Sequence, residues 1–223
     1  MSTYTPPIAD MLFVMKNIAG LPGLQQLPAL SECSDDLVEA ILEEAGKYAS
    51  QVLDPINQPG DGHGSTVVDG EVKPAPGFKE AYHQLVESGW VSLPGDLEFG
   101  GQGLPELLAS AVSEMRMSAN LSFSLCPMLS HGATSAIRHH GTDEQRALYL
   151  HKLVSGEWSG AMDLTEPQAG SDLSVVRTRA EPNGDHYLIK GQKIFITWGD
   201  HDMADNIIHL VRARLPDAPA GTK

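Results

Sequence analysis

Basic residues are scarce in this chain: 15 Lys and Arg stand against 29 Asp and Glu, a formal net charge of −14. Such an imbalance argues against nucleic acid or an anionic membrane surface as the main partner, because both repel an acidic body. It still allows an anionic cofactor, provided backbone N–H groups and local dipoles face it. Cysteine is scarcer still, with Cys33 and Cys126 at no paired spacing. That excludes a disulfide framework and a Cys-based zinc site, and a reducing compartment follows. The longest apolar stretch near the N-terminus, Met11-Leu12-Phe13-Val14-Met15, is far too short to span a bilayer. No basic region precedes it, and Asp10 interrupts any targeting pattern. The expectation is a soluble, cytoplasmic protein with no membrane span. Its 223 residues, 41% of them hydrophobic, suffice for a substantial core in one or two domains.

What is present divides by periodicity. Residues 1–34 are rich in Pro and Gly around one amphipathic segment, Ile8 to Ala19. There Ile8, Leu12, Met15 and Ala19 share a helical face suited to docking on a larger body. Ser34 is a good N-cap, with Asp35 and Asp36 in the first turn. Leu37, Ile41, Ala45, Tyr48 and Val52 then repeat at helical spacing, and Pro55 is expected to end the helix. Residues 57–77 read as a loop with a short excursion at Val67-Val68. Helices follow at 78–88, 105–119 and 127–140. Thr142-Asp143-Glu144-Gln145 is a capping box opening a further helix that Gly156 terminates.

From Trp158 the pattern becomes β-like, at 158–164, 174–180, 186–197 and 206–215. Pro182-Asn183-Gly184-Asp185 predicts a hairpin with a type I′ turn at Asn-Gly. The fold class is therefore α+β: an N-terminal extension (1–34), a helical domain (35–157) and an incomplete antiparallel β domain (158–223). The closing stretch 215–223 reads as a loop.

Several candidate chemistries are weak. Gly100-Gly101-Gln102-Gly103 lacks the Lys-Ser/Thr of a phosphate loop and reads as a tight turn. His131, His139 and His140 lack the i,i+4 spacing with a carboxylate that a metal site wants, so no metal ligand is assigned. No G-x-S-x-G elbow occurs. Glu166 and Asp172 stand in the stretch Leu164-Thr165-Glu166-Pro167-Gln168-Ala169-Gly170-Ser171-Asp172. Glu166 precedes proline, which fixes its direction, and a carboxylate so held accepts loop hydrogen bonds more readily than it abstracts protons. The same stretch offers the hydroxyls of Thr165 and Ser171, with Gly170 allowing close approach of the main chain. Thr197 adds a hydroxyl after the apolar run Ile194-Phe195-Ile196. Two such loops suit a flat heterocycle with polar edges.

These two stretches, Thr165–Asp172 and Gly191–Thr197, resemble the paired signatures of the acyl-CoA dehydrogenase family. Gly100–Pro105, Gly141-Thr142 through Tyr149-Leu150 and Gly156-Glu157 are similar to its helical lead-in, in order and spacing over about 35–223. Tyr4-Thr5-Pro6-Pro7 through Leu21 resembles the extension of a longer subgroup.

The resemblance implies FAD as cofactor, α,β-dehydrogenation of an acyl-CoA thioester, electron-transfer flavoprotein as acceptor, and a homo-oligomer. It carries flavin contacts to Met162, Asp163, Leu164, Thr165, Gly170, Ser171, Phe195, Ile196 and Thr197, and acyl-CoA contact to Ser171. Met162 stands where the family commonly has an aromatic, and Phe195 where it has Trp; both keep an apolar surface. The family's catalytic Glu lies in a C-terminal helical domain, so no residue here is assigned as the base. The chain is thus expected to be inactive by itself and to retain flavin weakly or not at all. Two rivals from other classes are a non-catalytic acyl-CoA-binding or interaction module, and a structural fragment stabilised by self-association.

Overall fold

The computed structural model describes residues 4–219 and Gly221. Of the expected terminal loop, Ala220, Thr222 and Lys223 lie outside the described residues. Helices come first: α1 (Ile8–Asn17), α2 (Leu21–Leu24), α3 (Asp35–Tyr48) and α4 (Asp54–His63), then α5 (Phe78–Glu87), α6 (Glu106–Ala119), α7 (Leu121–His140) and α8 (Asp143–Ser155). A small hairpin, β1 (Thr66–Val68) with β2 (Glu71–Lys73), interrupts them. The strands β3 (Trp158–Asp163), β4 (Arg179–Asn183), β5 (His186–Lys190) and β6 (Asn206–Val211) follow. No helix among the described residues is long and apolar enough to cross a membrane.

Local chemistry accounts for the boundaries. Ser34 Oγ accepts the Leu37 amide at 3.2 Å and caps α3. At α8 both halves of the capping box form: Thr142 Oγ1 accepts the Gln145 amide at 3.2 Å, and Gln145 Oε1 accepts the Thr142 amide at 2.9 Å. Gly156 then closes α8 at φ +80°.

Several expectations are corrected. The α3 face that enters the core is Val38, Leu42, Ala45 and Tyr48; Ala45 and Tyr48 are as expected, whereas Val38 and Leu42 take the places of Leu37 and Ile41, and Leu37 is exposed. In α1 the buried pair is Met11 and Met15, with Ile8 and Leu12 packed beside them and Ala19 exposed. Pro55 does not end a helix. The chain passes through one π-helical turn, Ala49–Leu53, and continues as α4 with Pro55 in its first turn, where no amide is needed. That helix also takes the first part of the expected 57–77 loop, and Val67-Val68 becomes β1. The helix expected from 127 begins at Leu121 and carries Pro127 internally, capped by Asn120 Oδ1 accepting the Phe123 amide at 3.1 Å.

One core cluster joins α1, α3, α5, α6 and the start of α7, with Leu42, Leu53, Leu85, Leu108, Met115 and Phe123 fully enclosed. Each such side chain contributes about 1.5–3 kcal/mol on burial. The β portion leans on α7. Gly160 of β3 sits so close that a Cβ there would lie 2.5 Å from Ala133 Cβ. Its amide donates to Ser130 Oγ at 2.9 Å.

The strand pairs are antiparallel for β4–β5, as expected, and parallel for β3–β6, with Trp158 opposite Asn206. The β4–β5 loop is Gly184-Asp185, with Asn183 paired to His186. Gly184 alone takes positive φ (+69°), so the Asn-Gly type I′ turn does not form. Of the expected strand at 174–180 only Arg179 and Ala180 pair, as the start of β4; its first residues fall in a 3-10 turn, Leu173–Val175, where Asp172 Oδ1 captures the Ser174 amide at 2.8 Å. The strand expected through Thr197 stops at Lys190.

Candidate functional site

The site is built on the segment leaving β3 and on the stretch after β5. The Glu166 and Ala169 main chains exchange two hydrogen bonds of 2.9 Å, which folds Pro167-Gln168 into a tight turn and buries Ala169 completely. The turn carries Gly170 and Ser171 outward, and a Cβ at Gly170 would meet nothing within 4 Å. The 192–197 stretch runs alongside: the Ile194 amide donates to the Thr165 carbonyl at 3.0 Å. Lys193 Nζ donates to the Leu164 carbonyl at 3.0 Å and to Glu166 Oε1 at 2.9 Å. The two motifs, nearly thirty residues apart, thus form one wall.

Glu166 is the structural centre of that wall. Only 3% exposed, its carboxylate accepts from Gln168 Nε2 (2.6 Å), the Arg177 amide (2.7 Å), the Thr178 amide (3.0 Å) and Lys193 Nζ. Burial by itself raises its pKa. Hydrogen bonds from Thr178, Arg177 and Lys193 outweigh that and hold it well below the usual carboxylate range. A carboxylate this fully engaged is a brace, with no lone pair left for proton abstraction.

Asp163, 8% exposed, turns inward and meets His209 Nδ1 of β6 at 2.9 Å. Its main-chain carbonyl accepts the Arg212 amide at 3.1 Å. Met162 and Leu164 are half-buried beside it. The side-chain hydroxyls of Thr165, Ser171 and Thr197 form no hydrogen bond to the protein among the described residues. Ile196 is half-buried, whereas Phe195 is 87% exposed.

Phe195 and Trp198 both adopt positive φ, +56° and +54°. Left-handed backbone at a bulky residue cannot continue a ladder, which is why no strand forms at 191–197. Trp198 is pinned from behind. Its Nε1 donates to the Ser122 carbonyl at 2.9 Å, and its ring lies 6.1 Å from Phe78 and 5.6 Å from His201.

His201 is a residue that sequence reasoning missed. It is 6% exposed, and the Met203 amide donates to its Nδ1 at 3.2 Å, which places the ring proton on Nε2, 3.0 Å from Ser159 Oγ. Burial pushes its pKa down to about 4. Arg214 was missed as well; it donates to the Val176 (2.9 Å) and Ser174 (2.5 Å) carbonyls and props the 173–176 turn. No local pattern marks either residue.

A helical body followed by a β wall bearing two joined, hydroxyl-rich loops defines a specific class of two-part protein, and comparison with known proteins agrees. Residues 37–157 match the family described as acyl-CoA dehydrogenase, N-terminal domain, and residues 161–222 match its middle domain. The chain belongs to the acyl-CoA dehydrogenase family. It is 46% identical over 99% of its length to 3-methylmercaptopropionyl-CoA dehydrogenase of Ruegeria pomeroyi, of which it spans 38%. Among solved structures, an acyl-CoA dehydrogenase from Geobacillus kaustophilus superposes with a TM-score of 0.66 at 26% identity, covering 83% of this chain and 45% of that one. An FAD complex of PigA superposes with a TM-score of 0.59 at 25% identity, over 73% of this chain and 40% of that one.

Proposed function

We propose that this chain forms the helical part, with its N-terminal extension (1–34), and one flavin-holding wall (158–223) of an FAD-dependent acyl-CoA dehydrogenase. The observation that carries the reading is the hydrogen bond from the Ile194 amide to the Thr165 carbonyl at 3.0 Å. It brings the 194–197 stretch, with apolar Phe195 and Ile196 and the unpartnered hydroxyl of Thr197, alongside Thr165, whose hydroxyl is unpartnered too. That is the complement a flat ring with polar edges requires. The exposed, left-handed Phe195 supports it, because backbone strain of this kind concentrates where a ligand is held.

In this reading Met162, Leu164, Phe195 and Ile196 supply apolar surface to the isoalloxazine. Thr165 would hold its pyrimidine edge, and the Thr197 hydroxyl would supply a hydrogen bond near N5. Gly170 and Ser171 leave their main chain open to the pyrophosphate, and Ser171 also touches the acyl-CoA. Bound FAD supplies acceptance of the hydride from the β-carbon of the thioester. The residues of this chain orient the ring and exclude water from one face. The carboxylates of this wall are not assigned as the base: Glu166 accepts from four donors, Asp163 is turned inward with Oδ2 on His209, and Asp172 caps Ser174. These 223 residues by themselves therefore do not turn over acyl-CoA. An electron-transfer flavoprotein serves as acceptor for the complete active site, in a homo-oligomer located in the cytoplasm.

The test is flavin titration of the chain, followed by absorbance and by quenching of flavin fluorescence. FAD should bind weakly, and Thr165→Val and Thr197→Val should each weaken it by a further factor of about 5–10, one hydrogen bond apiece. Binding of acyl-CoA with no affinity for FAD would overturn the flavin wall, and acyl-CoA turnover by the chain alone would overturn the absence of a base.

A further inference from the structure

Away from the flavin wall, α6, α7 and the 90–99 turn enclose a cavity of about 470 Å³. Arg116 of α6 lines it and is only 7% exposed. Its Nη2 donates to Ser113 Oγ at 2.9 Å, but its buried Nε has no partner. Among the described residues no carboxylate forms an ion pair with it. The indole Nε1 of Trp90, on the same lining, is buried and unpartnered as well. Burial lowers the Arg116 pKa to about 10, so the guanidinium remains charged at neutral pH.

A buried cation without a counter-charge costs several kcal/mol, and a fold keeps one only where something compensates it. The carboxylates that line the cavity are committed elsewhere. Asp96 holds Arg138 at 2.5 Å, and Glu106 is exposed, 3.9 Å from His131. His139 lines the mouth beside them. Beside the Arg116 and Trp90 N–H groups the lining carries the hydroxyls of Ser110, Ser113, Thr134 and Ser135 and the apolar side chains of Val91, Val112, Leu150, Leu153 and Val154. Two buried donors without partners, one of them charged, call for an acceptor that carries charge, and the aliphatic walls call for a short apolar body behind it.

We propose that this cavity is a binding site for a small aliphatic carboxylate, its oxygens held by Arg116 and Trp90. The site is independent of the flavin wall and shares no residue with it. Ser113 orients the guanidinium from one side, leaving Nε directed at the ligand.

Hexanoate, hexanamide and inorganic phosphate are titrated into the full chain by calorimetry, with ¹H–¹⁵N spectra of the three tryptophan indoles recorded in parallel. Hexanoate binds saturably and shifts the Trp90 indole signal, leaving those of Trp158 and Trp198 in place. Hexanamide binds at least about tenfold more weakly, the size of one charge-assisted hydrogen bond. Arg116→Met lowers hexanoate affinity by at least about tenfold and Trp90→Phe by about fivefold, the latter with the helical circular dichroism unchanged. Absence of saturable hexanoate binding, equal affinity for the amide, or phosphate competing as well as hexanoate overturns the proposal. If Arg116→Met does not fold, undiminished affinity in Trp90→Phe overturns it in the same way.

Discussion

Glu166→Gln alters little but the charge of one side chain, and its consequences follow from the donors around it. The carboxylate accepts four hydrogen bonds, from Gln168 Nε2 and the Arg177 amide on Oε2 and from the Thr178 amide and Lys193 Nζ on Oε1. A glutamine offers one acceptor oxygen. Placed at Oε1, it keeps Thr178 and Lys193 but turns an NH₂ donor against two donors. Each donor so stranded costs about 1–3 kcal/mol. Lys193, with a side chain 11% exposed, also loses its counter-charge. Because the carboxylate is covered by its own loop rather than by deep core, the expected loss is about 3 kcal/mol, the low end for breaking a buried pair.

Urea denaturation at pH 7 reads this as a lower midpoint with unchanged slope. The pH dependence gives a second signature. The folded carboxyl is held far below its ordinary value of 4.5, so its contribution is complete above pH 4.5 and is lost as pH falls below that. The variant should lack this acid limb. A stability within about 0.5 kcal/mol of the parent, the range of ordinary surface substitutions, would refute the bracing role.

Two further outcomes are expected. His201 is neutral and buried, its pKa lowered from 6.5 to about 4, so the unfolded chain binds the proton more readily. Stability should be fully present above pH 6.5 and fall by about 3 kcal/mol on acidification to pH 4, a slope missing in His201→Gln; equal slopes in the two proteins would sink the assignment. Thr142→Ala removes the cap of α8 and should cost about 1 kcal/mol, read as a shift in thermal midpoint.

What the sequence shows plainly is what residues within four of each other decide. The start and end of α8 are legible because Thr142, Gln145 and Gly156 act on their own turn. The α4 helix is not, since Pro55, Pro59, Gly60 and Gly62 carry every mark of a loop. It stands because Pro55 needs no donor in a first turn and because Gly60 lets Phe78 approach. A Cβ there would lie 2.8 Å from the Phe78 ring. The same division holds in the site. Thr165, Gly170, Ser171 and the 191–197 run announce themselves as motifs, while Arg214, His201 and His209 are joined to that wall only by the fold.

That division explains how the 195–198 stretch can hold an unfavourable backbone. Left-handed geometry at Phe195 and Trp198 costs about 1–3 kcal/mol each, and the exposed Phe195 ring does little to offset it. The compensation sits behind them, in the helical body. Trp198 bonds the Ser122 carbonyl and packs between Phe78 and His201, and His201 is tied to Ser159 of β3. Asp202, next along the chain, receives Lys73 at 3.2 Å and Lys79 at 3.4 Å. The rear of the 195–203 stretch is therefore clamped to α5, α7 and the β1–β2 hairpin, while the Phe195 ring and the Thr197 hydroxyl stay free. A wall whose backbone is fixed from behind and whose side chains lack protein partners loses little entropy when a ligand arrives, and that pre-organisation is what the helical body contributes to the site.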